Sequence, residues 1–206
     1  MNKLSTQIIA FVVVLAIVAG ALYFSGVFSS DNGAVASGED RTPRQIQILK
    51  YSDYSCPACR IYIPFQEQLK AEFGDLVDIQ YRYFPLDGFP NSRTAAHAVE
   101  AANRQGKFTE MHNLVFERQD EWSPGHINIR EYVTAYAEQI GLDRDQFLAD
   151  LDSDEVRNRV EQQKQEGMRR SVNATPTYFI DGFMLRQNPQ SYEQFKSIVE
   201  LYMYRN

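Results

Sequence analysis

Two thiols stand three residues apart in Tyr51-Ser52-Asp53-Tyr54-Ser55-Cys56-Pro57-Ala58-Cys59-Arg60, and the chain has no other cysteine. Gln45–Tyr51 before them reads as a strand, and Ile61, Ile63, Phe65, Leu69 and Phe73 after them recur at helical spacing. A Cys-x-x-Cys pair at a strand-to-helix junction suits redox chemistry. The first-turn N–H groups and the positive end of the helix favour a thiolate on Cys56, and Cys59 returns to the same helical face, close enough to attack a mixed disulfide. Pro57 fits the first turn, where its missing N–H costs nothing.

Zinc would need two further ligands, and His97, His112 and His126 stand at no tight motif spacing, so no metal is expected. A structural disulfide closing so short a loop restrains the unfolded chain little. His112 beside Met111 and Val115 reads as a partly buried packing residue, and Trp122 as core or rim. Asp53 admits two readings, a proton relay to Cys59 and a turn former. Lys50 shares a strand face with Ile46 and Ile48, and is read as snorkelling to solvent in preference to tuning a nearby thiolate.

The 206 residues carry a net charge of -6 without a Lys/Arg-rich run, which argues against a nucleic-acid partner. Residues 1–28 hold an apolar run from Ile8 to Phe24 behind Lys3. That run is long enough to span a bilayer as a signal anchor, with the remainder exported. Ala19-Gly20-Ala21 and Ala34-Val35-Ala36 resemble cleavage sites, and cutting there would leave a soluble periplasmic or secreted protein. Residues 29–44 read as a flexible linker, and 45–206 as one domain.

Within that domain Pro64 is expected to kink a helix running from about Cys56 to Phe73, which Gly74-Asp75 ends. Val77–Phe84 reads as a second strand. A helical stretch at about 91–170 follows, with caps expected at Asn91, Asn128, Asp143 and Asp152. Ser171–Leu185 reads as a loop, a strand, an Asp-Gly turn and a strand, and Tyr192–Tyr202 as a last amphipathic helix. Pro176 at the start of a strand cannot donate to a ladder, and a cis Thr175–Pro176 bond would account for it.

Cys-Pro-Ala-Cys after a strand, Ala-Thr-Pro-Thr-Tyr-Phe-Ile-Asp-Gly before the last strands, Tyr81–Leu86 and Gly106-Lys107-Phe108-x-x-Met111-His112 together resemble the DsbA-like thiol:disulfide oxidoreductases, in their membrane-tethered branch. The resemblance implies an α/β thioredoxin fold with an inserted helical subdomain, preceded by an N-terminal membrane helix. It makes Cys56 the exposed attacking thiol, Cys59 the buried resolving one, and Pro176 a cis-proline facing them. Pro57 and Ala58 line the site, and Thr175 offers its backbone to an extended substrate peptide. The implied activity is donation of a Cys56–Cys59 disulfide to exported proteins with free thiols. The dithiol is its own redox group, without a cofactor, and a membrane redox partner recycles it. Reductase or isomerase use of the same fold is the alternative, and a peptide-holding or copper-handling module the further one. Pro57-Ala58 stands where strongly oxidising members have a histidine, and Lys50 where relatives often have an acid. The first departure implies a potential between those of DsbA and thioredoxin, about -120 and about -270 mV.

Overall fold

A computed structural model describes residues 42–205. The membrane helix expected at 1–28 and nearly all of the linker expected at 29–44 lie outside the described residues. Among the described residues no helix is long and apolar enough to cross a membrane.

Four strands form one sheet: β1 (Ile46–Ser52), β2 (Val77–Tyr83), β3 (Thr177–Ile180) and β4 (Phe183–Met184), in the order β2-β1-β3-β4. β1 pairs in parallel with β2, setting Ile46 opposite Val77, and antiparallel with β3, setting Lys50 opposite Tyr178. The β3–β4 hairpin turns on Asp181 and Gly182, both at positive φ (47° and 85°), the backbone that an Asp-Gly turn between strands requires.

Alternation along β1 creates two buried faces. Ile46 and Ile48 pack with Tyr178 and Ile180 against Leu69 of α2 (Ile63–Phe73) and Phe195 and Val199 of α9 (Tyr192–Met203). Leu49 and Tyr51 pack with Phe84, Val172 and Phe179 on the other side. Both faces are covered, as suits a sheet in which the central strand β1 pairs in parallel with β2.

The helix after the cysteines is broken, not merely kinked. α1 (Pro57–Ile61) stops at Tyr62, and α2 restarts with Pro64 in its first turn. There the missing N–H leaves no hydrogen bond unmade. Gly74, at φ 54°, closes α2.

Between β2 and β3 lie six helices: α3 (Ser92–Arg104), α4 (Phe108–Glu117), α5 (Gln119–Trp122), α6 (Ile129–Gln139), α7 (Arg144–Leu151) and α8 (Asp154–Arg169). Their apolar faces meet around Val99, Met111, Trp122, Val133 and Phe147, and Cys56 and Cys59 belong to the same cluster.

Three of the expected caps fail. Asn91 turns its amide to the Trp122 and Pro124 carbonyls, at 2.8 and 3.0 Å. Asn128 donates to the Glu131 carboxylate at 2.8 Å instead of capping α6. Asp152 is held by Arg130, and Ser153 caps α8 in its place by accepting from the Val156 N–H. Asp143 does cap α7. In each failure the side chain is turned toward another partner, backbone carbonyls for Asn91, Glu131 for Asn128 and Arg130 for Asp152.

α8 lies on the sheet through Gly167. A Cβ there would fall 2.7 Å from Cδ2 of Phe84 and 2.9 Å from Cδ1 of Tyr51. Gly167→Ala should therefore destabilise the fold by about 1–3 kcal/mol, despite alanine's higher helix propensity, as a lowered urea midpoint would show.

Candidate active site

β1 ends beneath the cysteines, and the turn that follows is fixed from several directions. The Asp53 carboxylate is buried and accepts from Ser55 N–H and Leu86 N–H, both at 2.8 Å, and from the Ser92 hydroxyl at 2.5 Å. The Asp53 carbonyl accepts from the Cys56 N–H at 3.1 Å. Burial raises the Asp53 pKa above the ordinary carboxylate value, and the three donors oppose it. Of the two readings open for Asp53, these contacts favour the turn former. Its oxygens are occupied by structural donors.

Gln119 escaped the sequence reading. Its buried amide donates to the Tyr54 carbonyl at 2.6 Å and to the Cys56 carbonyl at 3.0 Å, clamping the redox turn to α5. No local pattern marks it, because its partners lie more than sixty residues earlier in the chain.

Cys56 occupies the N-cap position of α1 with extended backbone (φ -80°, ψ 117°), and Pro57 and Ala58 are exposed beside it. The two thiols are free, with no bond between them. Cys59 is fully buried, whereas Cys56 is 6% exposed, so the expected exposed thiol is largely covered. The cover is the segment before β3, where the Cys56 thiol donates to the Thr175 carbonyl at 3.4 Å. The Thr175–Pro176 peptide bond is cis. Pro176 is buried and Thr175 half-buried.

The two thiols are driven apart electrostatically. The hydrogen bond from the Cys59 thiol holds Cys56 down to about 5, against the opposing effect of burial. Thr175 and the N–H groups of Cys59 and Ala58 add to the lowering. The Thr175 hydroxyl is buried with no other partner and is free to donate to the thiolate. Because α1 has only five residues, this stabilisation comes from neighbouring donors more than from a long helix dipole. Burial first, and then the bond to Cys56, push Cys59 well above the free-thiol value.

Lys50 does not snorkel to solvent. It is fully buried, with Nζ donating to the Cys59 carbonyl at 3.1 Å and to Oε1 of Gln66 at 3.3 Å, and lying 5.3 Å from the centre of the Phe116 ring. Strand alternation placed it on the inner face, but α1, α2 and α4 close over that end of β1. His112 is also fully enclosed, with Nδ1 2.8 Å from the Tyr54 hydroxyl, and burial holds its pKa down to about 3.

A strand, a paired-thiol turn, a helix and a proline-led strand facing the thiols make up the thioredoxin fold, and the helices between β2 and β3 give its DsbA-like form. A family model described as thioredoxin matches residues 30–201, and the chain belongs to that family. Solved structures of the same fold include BdbD from Bacillus subtilis, with a TM-score of 0.68 and 20% identity over 81% of this chain and 90% of that one. A thioredoxin-like oxidoreductase from Silicibacter pomeroyi has a TM-score of 0.64 and 23% identity, covering 79% and 88%. For alpha-DsbA1 of Wolbachia pipientis the TM-score is 0.67 at 16% identity, covering 78% and 86%. Among curated proteins, a Na(+)/H(+) antiporter NhaA of Herminiimonas arsenicoxydans is 37% identical over 142 residues, which is 69% of this chain and 22% of the antiporter. The chain thus spans about a fifth of the length of the curated relatives it matches, and the likeness concerns one segment of those longer proteins.

The separation of the thiols sets a pH dependence. Cys56 is depressed in the folded protein, so its thiolate stabilises the reduced fold fully above the free-thiol pKa of about 8.5. That stabilisation is lost as pH falls toward about 5. Thiolate absorbance of the reduced protein should titrate near pH 5 with one thiol's amplitude, and chemical denaturation should show the dithiol form gaining stability from pH 5 to 8. The Cys59 shift has the opposite sign but acts above that window.

Proposed function

We propose that the protein is an extracytoplasmic thiol:disulfide oxidoreductase that donates its Cys56–Cys59 disulfide to exported proteins. The observation that carries this reading is the paired-thiol turn at the start of α1, with Cys56 against the Thr175 carbonyl before the cis Pro176 and Cys59 buried beneath it, and the opposite displacement of the two thiol pKa values supports it.

A substrate thiolate attacks the Cys56 sulfur and the Cys56–Cys59 bond breaks. Cys59 leaves and takes up a proton, because its buried site disfavours charge. A mixed disulfide joins Cys56 to the substrate. The substrate's second thiolate then attacks its own sulfur in that bond and expels Cys56. At a pKa of about 5, Cys56 is a good leaving group. The protein ends with two more electrons and the substrate with a disulfide. Stabilising one thiolate favours the reduced form, which is the direction of an oxidant.

The backbone at Thr175 is placed to pair with an extended substrate segment while its carbonyl remains near Cys56. Exposed Pro57, Ala58 and Ile61 offer apolar contact beside it. A membrane redox partner regenerates the disulfide, and the apolar N-terminal run supports anchoring on the outer side of the cell membrane.

Cys56→Ser should abolish oxidation of reduced, unfolded ribonuclease. Offered a substrate that carries a disulfide, Cys59→Ser should instead accumulate a mixed disulfide through Cys56, which breaks the substrate's S–S bond with no second protein thiol left to resolve the product, visible by non-reducing electrophoresis. Equilibration with glutathione should place the potential above the glutathione poise. A potential near that of thioredoxin would reverse the direction and make the protein a reductase.

A further inference from the structure

Among the described residues Lys50 is the one lysine that is completely buried, and its surroundings decide what can balance its charge. From α1, Cys59 supplies its carbonyl at 3.1 Å, and both thiols interact with Lys50 electrostatically. From α2 comes the neutral amide of Gln66, which in turn donates to the Tyr178 hydroxyl. β3 and β2 set Tyr178 and Tyr81 opposite Lys50, and α4 contributes the Phe116 ring and, within electrostatic range, His112. Burial pushes both phenols up, Tyr81 to about 12, so they stay neutral, as does His112. Among the described residues no carboxylate pairs with Lys50. Glu67 lines the cavity beside Gln66 and acts on Tyr81 but makes no contact with Lys50, so among the described residues the redox thiols are the negative charge that bears on it.

We propose that Lys50 is the counter-charge of the reduced centre and releases its proton when the Cys56–Cys59 disulfide forms. The proposal rests on the dithiol/disulfide chemistry of the preceding section and adds a proton to it. In the reduced state Cys56 is a thiolate, Cys59 a thiol and Lys50 an ammonium. A disulfide oxidant such as glutathione disulfide accepts two electrons, the S–S bond forms, Cys59 loses its proton and the negative charge disappears. The oxidant's own S–S bond breaks, and its sulfurs take up two protons as they become thiols. Cys59 supplies one proton. A cation left without a counter-charge keeps only two neutral acceptors and the Phe116 ring, which offset its desolvation penalty in part, so Lys50 supplies the other.

A cavity lies one side chain away from Lys50. Gln66, Tyr81 and His112 line a cavity of about 580 Å³ between α2 and α4, and Gln66 is in direct contact with Lys50 Nζ. His112 Nε2 is buried there with no partner. Burial lowers the Lys50 pKa to about 8 while the thiols raise it. Lys50 is therefore charged at neutral pH when the centre is reduced, and losing the thiolate moves its pKa further down.

The test is the side-chain NMR titration of Lys50 in the intact protein, reduced with excess dithiothreitol and, separately, oxidised with diamide. Neither preparation depends on turnover of a protein substrate. The acid dissociation constant of Lys50 should be about a hundredfold larger in the disulfide form, enough to leave it mostly neutral at pH 7, and equal constants would overturn the proposal. Equilibration with glutathione gives a second readout. With Lys50 releasing a proton, the equilibrium constant for oxidation by glutathione disulfide should change less than about twofold from pH 6.5 to 7.5, because protons lost and gained then match. Lys50→Met should restore about a tenfold fall per pH unit, the signature of one unmatched proton. A tenfold fall in the unmodified protein would overturn the coupling. A protein that exchanges no disulfide with glutathione would instead count against the oxidoreductase reading, and the NMR comparison would still decide the role of Lys50.

Discussion

The Asp53 carboxylate is the joint on which the site depends. It takes one donor from its own turn, one from the loop after β2 and one from the start of α3. It therefore binds the redox turn at once to the sheet and to the helical layer. The two backbone N–H groups and the Ser92 hydroxyl occupy both of its oxygens. Loss of the carboxylate would leave two backbone N–H groups and a hydroxyl without their partner, at roughly 1–3 kcal/mol for each buried group. Gln119 repeats the arrangement from the other side by holding the Tyr54 and Cys56 carbonyls. With both carbonyl and carboxylate contacts fixed, the Cys56 sulfur has little freedom except toward Thr175.

That restriction makes the chemistry asymmetric. The thiols are three residues apart and differ mainly in depth and in which way the bond between them points. Cys59 lies deeper and donates, and Cys56 accepts that bond along with the first-turn N–H groups. One hydrogen bond thus lowers one pKa and raises the other. A loose turn would let the sulfurs exchange roles and would erase the difference, so the rigidity that Asp53 and Gln119 provide is converted directly into thiol reactivity.

Much of this was readable from the amino-acid order. Period-two and period-3.6 patterns located the strands and most helices, and Asp181-Gly182 marked its hairpin, because each depends on neighbours in the chain. Cys56, Cys59 and Thr175–Pro176 were legible for a related reason: residue type and spacing restrict their use. Lys50 was misread because alternation assigns a side chain to a face of the sheet and is silent on what covers the strand's end. The lid comes from Cys59, Gln66 and Phe116, on three separate helices. Asn91 and Asp152 failed as caps for a similar reason, since Trp122 and Arg130 reached them first. Gln119 carried no signal at all, being a glutamine in a four-residue helix.

The break at Tyr62 reconciles two demands that one straight helix would have to meet together. α1 must present its first-turn N–H groups to Cys56 while setting Cys59 inward against Lys50. α2 must lay Leu69 on Ile46 and Ile48 and deliver Gln66 to Lys50 and Tyr178. Pro64 is incompatible with the interior of a continuous helix but harmless in a first turn. Placing a new helix start at Tyr62 removes that strain and lets α1 be aimed by the redox turn and α2 by the sheet. The proline that looks like a defect in the sequence is what allows the thiols and the core to be positioned separately.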